Sequence, residues 1–251
     1  MRNLIRKYGH LSAVALLCFA AGAFAQVPVA LQSSVTSNPS LAGVYVGAYP
    51  LTINGTSTRA VCDDFADHIY LNESWQANVY TFSQLNTTTN TLSDFTVANL
   101  GTTGVFFGGN GSVSQLQLYE EAAWLTVQLL NPANAAYAGN LSYAIWDIFD
   151  SGAFTRLANR GVLNDGSQGT AAWWLSQAQQ SYGSGNYSNF AILTPINGTA
   201  WCGSGPCPSV PPQEFLVRTP ESPAAVLLGA DLLALVGFIV VFRRRMVRAA
   251  N

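Results

Sequence analysis

Lysine is almost missing from this chain. The only one, Lys7, stands in a basic start with Arg2 and Arg6, so the rest of the chain has no lysine to act as a base. Histidine is nearly as scarce, with His10 near the start and His68 beyond it. Charged residues make up only 10% of the sequence, and between Gln26 and Thr219 four arginines (Arg59, Arg156, Arg160, Arg218) face eleven acids. A chain so poor in cations has no electrostatic footprint for nucleic acid. Its polarity comes mainly from Asn, Ser, Thr, Gln and Gly. That composition is common in secreted proteins that sit among neutral polysaccharides, and an exopolysaccharide is the partner it suggests. Cysteine is sparse too. Beyond Cys18 there are Cys62, Cys202 and Cys207, enough in an oxidising compartment for one disulfide and one leftover thiol. Cys202 and Cys207 flank Gly203-Ser204-Gly205-Pro206, a turn able to close a small ring, and a bridge from Cys62 to either stays open.

Apolar runs occur at the two ends. Leu11 to Phe24 follows the basic start and leads to Ala23-Phe24-Ala25, a small-x-small site. Residues 1–25 therefore read as a signal peptide cleaved before Gln26, with the secretion translocon as the first partner. The second run, Ala224 to Phe242, is nineteen residues long. As a helix it would span about 28 Å, close to a bilayer core, and Arg243, Arg244 and Arg245 would hold its end in the cytoplasm. Asp231 inside the run would cost about 2.5–3.5 kcal/mol on insertion.

Just before that run stands Pro220-Glu221-Ser222-Pro223. Motif, apolar run and arginine cluster, paired with a signal peptide, resemble the PEP-CTERM family of exported bacterial proteins over about Pro220 to Arg248. The resemblance implies a substrate of exosortase, a membrane-embedded thiol transpeptidase that cuts near the motif. It also implies release to the outer envelope or extracellular matrix. Ser222 departs from the family, which has a second proline there, and Pro223 comes one place late.

Between the ends, residues 26–42 read as a lead-in, 43–200 as the extracytoplasmic domain, 201–219 as a Gly/Pro-rich tether and 220–251 as the sorting tail. Strand-like alternation runs from Gly43 to Pro50, Asn54-Gly55 signals a hairpin, and a second strand runs from about Arg59 to Cys62. Ile69 to Leu71, Trp75 to Phe82 and Tyr187 to Ile196 are further strand candidates. Three helical stripes lie between: Leu118, Ala122, Leu125 and Leu129, ended by Asn131-Pro132; Leu141, Ile145 and Ile148; and Ala171, Trp174, Leu175 and Ala178. Strands, helices, then a returning strand predict an α+β fold. It would be a mixed sheet or sandwich with an inserted three-helix segment and a C-terminal transmembrane helix over 224–242.

Each chemical candidate has a plainer counterpart. His68, six residues past Cys62, has no nucleophile-elbow motif beside it and reads as a surface histidine. Cys62, His68, Cys202 and Cys207 have spacings outside the commonest zinc patterns. Asp63, Asp64 and Asp67 form a candidate calcium cluster, or a solvated loop with one cap. Glu120 with Glu121, and Asp147 with Asp150, raise glycosidase chemistry without a surrounding motif. Trp124, Trp146, Trp173 and Trp174 stand at helical spacing in apolar stripes and read as core. No cofactor and no catalytic residue is expected.

Two short motifs remain. Val61-Cys62-Asp63-Asp64 and, far downstream, Ala144-Ile145-Trp146-Asp147 resemble the thioester domain of bacterial surface adhesins. That family has a strand cysteine and a helix motif of the form Thr-Gln-x-Ala-Ile-Trp, and an internal Cys–Gln thioester captures host amines. Here Leu141 and Ser142 stand where that helix motif has Thr and Gln. The resemblance therefore implies a chemically silent relative, with Cys62 a buried or disulfide cysteine and Ile145 and Trp146 packing residues. The main reading is a non-enzymatic envelope or matrix protein carrying a PEP-CTERM signal. The alternative is a binding or adhesion module of thioester-domain-like fold without a working thioester, and a secreted hydrolase comes third.

Overall fold

The computed structural model describes residues 25–32, 39–65, 69–85, 113–150, 152–196, 198–203, 205–207 and 212–218. Its strands are β1 (Ala25–Leu31), β2 (Ser40–Leu41), β3 (Val44–Tyr45), β4 (Ala48–Ile53), β5 (Thr56–Cys62), β6 (Glu73–Thr81), β7 (Phe190–Pro195), β8 (Trp201–Cys202), β9 (Gly205–Pro206) and β10 (Phe215–Arg218). Its α-helices are α1 (Gln115–Leu130), α2 (Ala138–Phe149), α3 (Gly152–Asn159) and α4 (Ala171–Ser181).

Local chemistry sets the first hairpin. Asn54 and Gly55 take φ of 47° and 80°, the left-handed pair a two-residue turn needs, and they join β4 to β5 from Ile53↔Thr56 to Ala48↔Val61. β6 pairs antiparallel with β7 across the long helical excursion. Two strands then close the sheet. β1 pairs with β6 over Ala25–Ala30 and with β4 over Val29–Leu31. β10 lies between β5 and β7, with Phe215 opposite Cys62. The order β1-β4-β5-β10-β7-β6 thus returns to β1 as a closed six-stranded barrel.

Strand alternation divides the barrel wall. Tyr49, Ala60, Cys62, Trp75, Ala77 and Phe215 face inward. The Phe215 ring meets Tyr49 edge-on at 5.6 Å and stacks on Trp75 at 6.0 Å, while alanines fill the narrow places between. The helices cover the outer wall along β5, β10 and β7. Ser114 caps α1 by accepting from Gln117 N, and Thr170 caps α4 by accepting from Trp173 N. α2 is buried nearly all round, from Leu141 through Phe149, so it forms the middle of the helical layer. Two bonds fix it to the barrel: Ser142 Oγ accepts from Gly47 N at 2.9 Å, and Trp146 Nε1 donates to the Cys62 carbonyl at 2.9 Å.

The predicted fold is corrected. The sheet is neither open nor a sandwich but a closed barrel, and among the described residues four α-helices rather than three accompany it. Closure was hidden because both closing strands sit in segments read as a lead-in and a tether. Pro28 disguised β1, yet it falls where β1 has a ladder to β6 only, a slot that tolerates a missing N–H. α3 is short and follows Asp150-Ser-Gly, which reads as a helix end. Instead the Asp150 carboxylate accepts from Gly152 N at 2.7 Å and starts the next helix. Ile69 to Leu71 is not a strand. Glu73 N donates to the Tyr70 carbonyl, the Glu73 carboxylate accepts from Tyr70 N, and Asn72 takes φ of 62° in a tight turn. The transmembrane helix expected over 224–242 has no support either. That run lies outside the described residues, and no helix among those described is long and apolar enough to cross a membrane.

Removing the indole donor should loosen the helical layer from the barrel. Trp146→Phe is expected to cost about 1–3 kcal/mol through the lost bond to a buried carbonyl. Trp146→Ala should cost about 3–5 kcal/mol because a cavity is added. Urea unfolding midpoints measure both.

Candidate functional site

The densest polar chemistry lies where β5 and β10 run past their ladder. Cys62 and Phe215 form the last inward pair. The next residues outward are Asp63 and Glu214, whose backbones meet through Asp63 N and the Glu214 carbonyl. Alternation sends these two side chains to the outer wall, beneath α1. There Tyr119 OH donates to Glu214 Oε1 at 2.5 Å and Thr194 Oγ1 donates to Oε2 at 2.5 Å. Neither oxygen of Asp63 has a donor among the described residues. Its neighbour is another carboxyl, that of Glu214, whose charge disfavours ionisation of Asp63.

Burial favours the protonated form of both groups. Asp63 is 2% exposed and Glu214 4%. Desolvation, then the charges of Glu214 and Asp64, holds Asp63 well above the usual carboxylate range. Desolvation also raises Glu214 to about 7, against the opposing pull of the Thr194 and Tyr119 hydroxyls.

On the other face of the strand Cys62 is free and buried. Its Sγ donates to the Asp64 carbonyl at 3.0 Å, and Gln213 Nε2 donates to the same oxygen at 3.0 Å. Burial, then the charges of Asp64 and Asp63, pushes the thiol well above its ordinary range, so it is a hydrogen-bond donor rather than a nucleophile at neutral pH. The acid pair is an acid–base device by type, but at 2–4% exposure it is out of reach of a substrate.

The other sequence candidates are scattered. Asp147 and Asp150 each serve a backbone amide, of Phe154 and Gly152 respectively, and burial raises Asp147 to about 6. Glu121 is buried and accepts from Gln117 Nε2, while neighbouring Glu120 is only partly buried. Asp63 and Asp64 are both buried rather than open to solvent, and Asp67 and His68 lie outside the described residues. Also outside them are Ala23, the motif Pro220, Glu221, Ser222 and Pro223, and the cluster Arg243, Arg244 and Arg245. Ala25 and Gln26, at the expected cleavage site, open β1. Cys202 and Cys207 are joined in a disulfide. With Glu73 they make the one metal-like grouping among the described residues, but bridged sulfurs are not thiolate ligands. Sequence reasoning missed Tyr119, Thr194, Gln213 and Glu214. The last two sit in the presumed tether, where only the pattern Glu214-Phe-Leu-Val after Pro211-Pro212 hints at a buried strand start.

No family profile and no curated protein matches the sequence. Among solved structures, the N-terminal domain of the Streptococcus pyogenes pilus tip adhesin Cpa aligns with 80% of this chain and 97% of its own length, at 12% identity and a TM-score of 0.39. A score of that size does not establish a shared fold.

The acid pair makes stability depend on pH in a stated direction. Both groups have raised folded-state pKa values, so their contribution is fully present below about pH 4, where the unfolded chain also holds its protons. It is lost as pH rises through about 7, the value for Glu214. Thermal unfolding followed from pH 4 to pH 8 should show a fall in Tm on the order of 10 °C. Glu214→Gln should flatten part of that slope and leave the share that burial imposes on Asp63.

Proposed function

We propose that this chain is an exported surface-binding module of thioester-domain-like build that carries no thioester and catalyses no reaction. It is displayed at the envelope or in the matrix, and an exosortase-type enzyme acts at Pro220–Pro223. The observation that carries the reading is the bond from Trp146 Nε1 to the Cys62 carbonyl, which joins two motifs 84 residues apart. Those are the two motifs through which the sequence resembles thioester domains, and a chance resemblance gives no reason for them to meet.

The chemistry of the site supports silence. Ser142, at the position of the family's helix-motif glutamine, is occupied in holding Gly47 N. The Cys62 proton is kept by burial and donated to Asp64. Of the carboxyls that raised hydrolase chemistry, Asp147 and Asp150 hold backbone amides and Glu121 is buried against the Gln117 amide. A purely inert matrix component is the competing reading, and specific binding separates the two.

The native protein treated with methylamine is expected to keep its mass. A thiol reagent should find no reactive cysteine until the chain is unfolded, and then one. A mass gain of one methylamine in the native state would overturn the silent-thioester reading. For the binding role, beads coated with the protein should adhere to envelope or matrix preparations above albumin-coated beads. Equal adhesion returns the chain to an inert component.

A further inference from the structure

Five of the six tryptophans pack against other aromatic rings. Trp75 stacks on Phe215, while Trp124 and Trp173 meet Trp174, and Trp146 meets Tyr143 and Phe65, in tilted or edge-on contacts. Trp201 has no such ring partner among the described residues. It is 51% exposed, yet it is not loosely held. Its indole N–H donates to Gly203 O at 3.2 Å, inside its own turn. It sits on the β8–β9 hairpin, which pairs Trp201 with Pro206 and is closed by the Cys202–Cys207 disulfide. A large flat apolar surface is thus presented to solvent in a fixed orientation with its polar edge already satisfied. Such a ring loses little conformational freedom when a ligand stacks on it.

Its neighbours continue the surface. The registers place Trp201 opposite Ser74, Ser74 opposite Ala30, Ala30 opposite Thr52 and Thr52 opposite Ser57. Directly opposed residues share a face, so this row crosses the outer wall of the barrel from β8 over β6, β1 and β4 to the exposed start of β5. None of the five side chains is charged. Beside Trp201 is a shallow cleft of about 220 Å³, lined by Ser74, Gln76, Thr199, Thr52 and Gly55 among others. That is below the roughly 300–1,000 Å³ of drug-sized pockets and suits a single small ring. The side chains of Ser74 and Gln76 make no hydrogen bond among the described residues, so a hydroxyl and an amide remain available at the cleft.

We propose that this face binds a neutral glycan: one sugar ring stacks its C–H face on Trp201 while the next places hydroxyls on Ser74 and Gln76 in the cleft. An uncharged hydroxyl- and amide-lined surface offers nothing to an ionic ligand, and a purely apolar one would leave Ser74 and Gln76 unpaired. The inference rests on the surface-binding reading and names its ligand class.

The test is titration of the full-length protein with neutral oligosaccharides (cello-, malto- and chito-oligomers), with an oligogalacturonate as the acidic control. Indole fluorescence and calorimetry give the readout. Expected are saturable binding of at least one neutral oligomer with a shift in indole emission, and no binding of the acidic control. Trp201→Ala should weaken binding about tenfold or more, as for an aromatic hot spot, and Trp201→Phe should recover part of it. Ser74→Ala with Gln76→Ala should weaken it without changing the emission shift. Opening the disulfide with reductant should weaken it as well. An unchanged melting curve shows that the variants are folded, and Trp201→Phe provides the comparison if the alanine variant is not. The inference fails if binding survives Trp201→Ala, or if the acidic oligomer binds equally well. It also fails if no neutral oligomer binds while protein-coated beads still adhere to surfaces, a result that leaves the surface-binding reading standing. Absence of both overturns both.

Discussion

The seam between β5 and β10 is where the last strand of the described structure is sewn into the barrel. Three backbone pairs, from Ala60↔Val217 to Cys62↔Phe215, close one side of the barrel. The first residues past them carry most of the polar chemistry. On the inner face Cys62 and Gln213 share the Asp64 carbonyl, and on the outer face the Asp63 and Glu214 carboxyls are buried together beneath Tyr119. The helical layer is fastened at the same place, by the Trp146 indole and the Tyr119 hydroxyl. Barrel closure, helix docking and the buried acids are one construction, and a change to any of these residues is felt by the rest.

The scarcity of cations explains its form. A buried carboxylate elsewhere is commonly matched with a lysine or arginine, but this chain has one lysine, at residue 7, and few arginines. Its remaining means of burying Glu214 are a proton and neutral donors, and Thr194 and Tyr119 supply the donors. Desolvating one charge costs less than desolvating two. The same economy is visible at Cys62, where the proton stays on sulfur and is used as a hydrogen-bond donor.

Much of the local structure was legible because it is governed by near neighbours. Asn54-Gly55 fixed one hairpin, Asn131-Pro132 ended α1, and the Leu141-Ile145-Ile148 stripe marked α2. Closure was not legible, because it depends on which distant strand a short segment joins. Pro28 falls in the segment read as a lead-in and Pro211-Pro212 in the one read as a tether, and each precedes or lies in a strand whose partners are far away in sequence. The Cys62 and Trp146 motifs were readable separately, while the residues that bury the acids are Tyr, Thr and Gln, types with many roles and no spacing to betray them. Trp201 was hidden for the opposite reason, since an exposed side chain leaves no periodic trace.

The barrel's last strand has a consequence for how the chain acquires its shape. β10 inserts between β5 and β7 and ends at Arg218. A chain that emerges from its N-terminus first therefore has β5 and β7 with open edges, and Glu214 missing from beneath Tyr119, until nearly the whole described length has appeared. The helices can form early from local contacts, but the ring cannot close on a partial chain. Loop-closure entropy then has to be met all at once, by the longest-range contacts in the molecule. Folding is in this sense a terminal event, triggered by the arrival of the last strand.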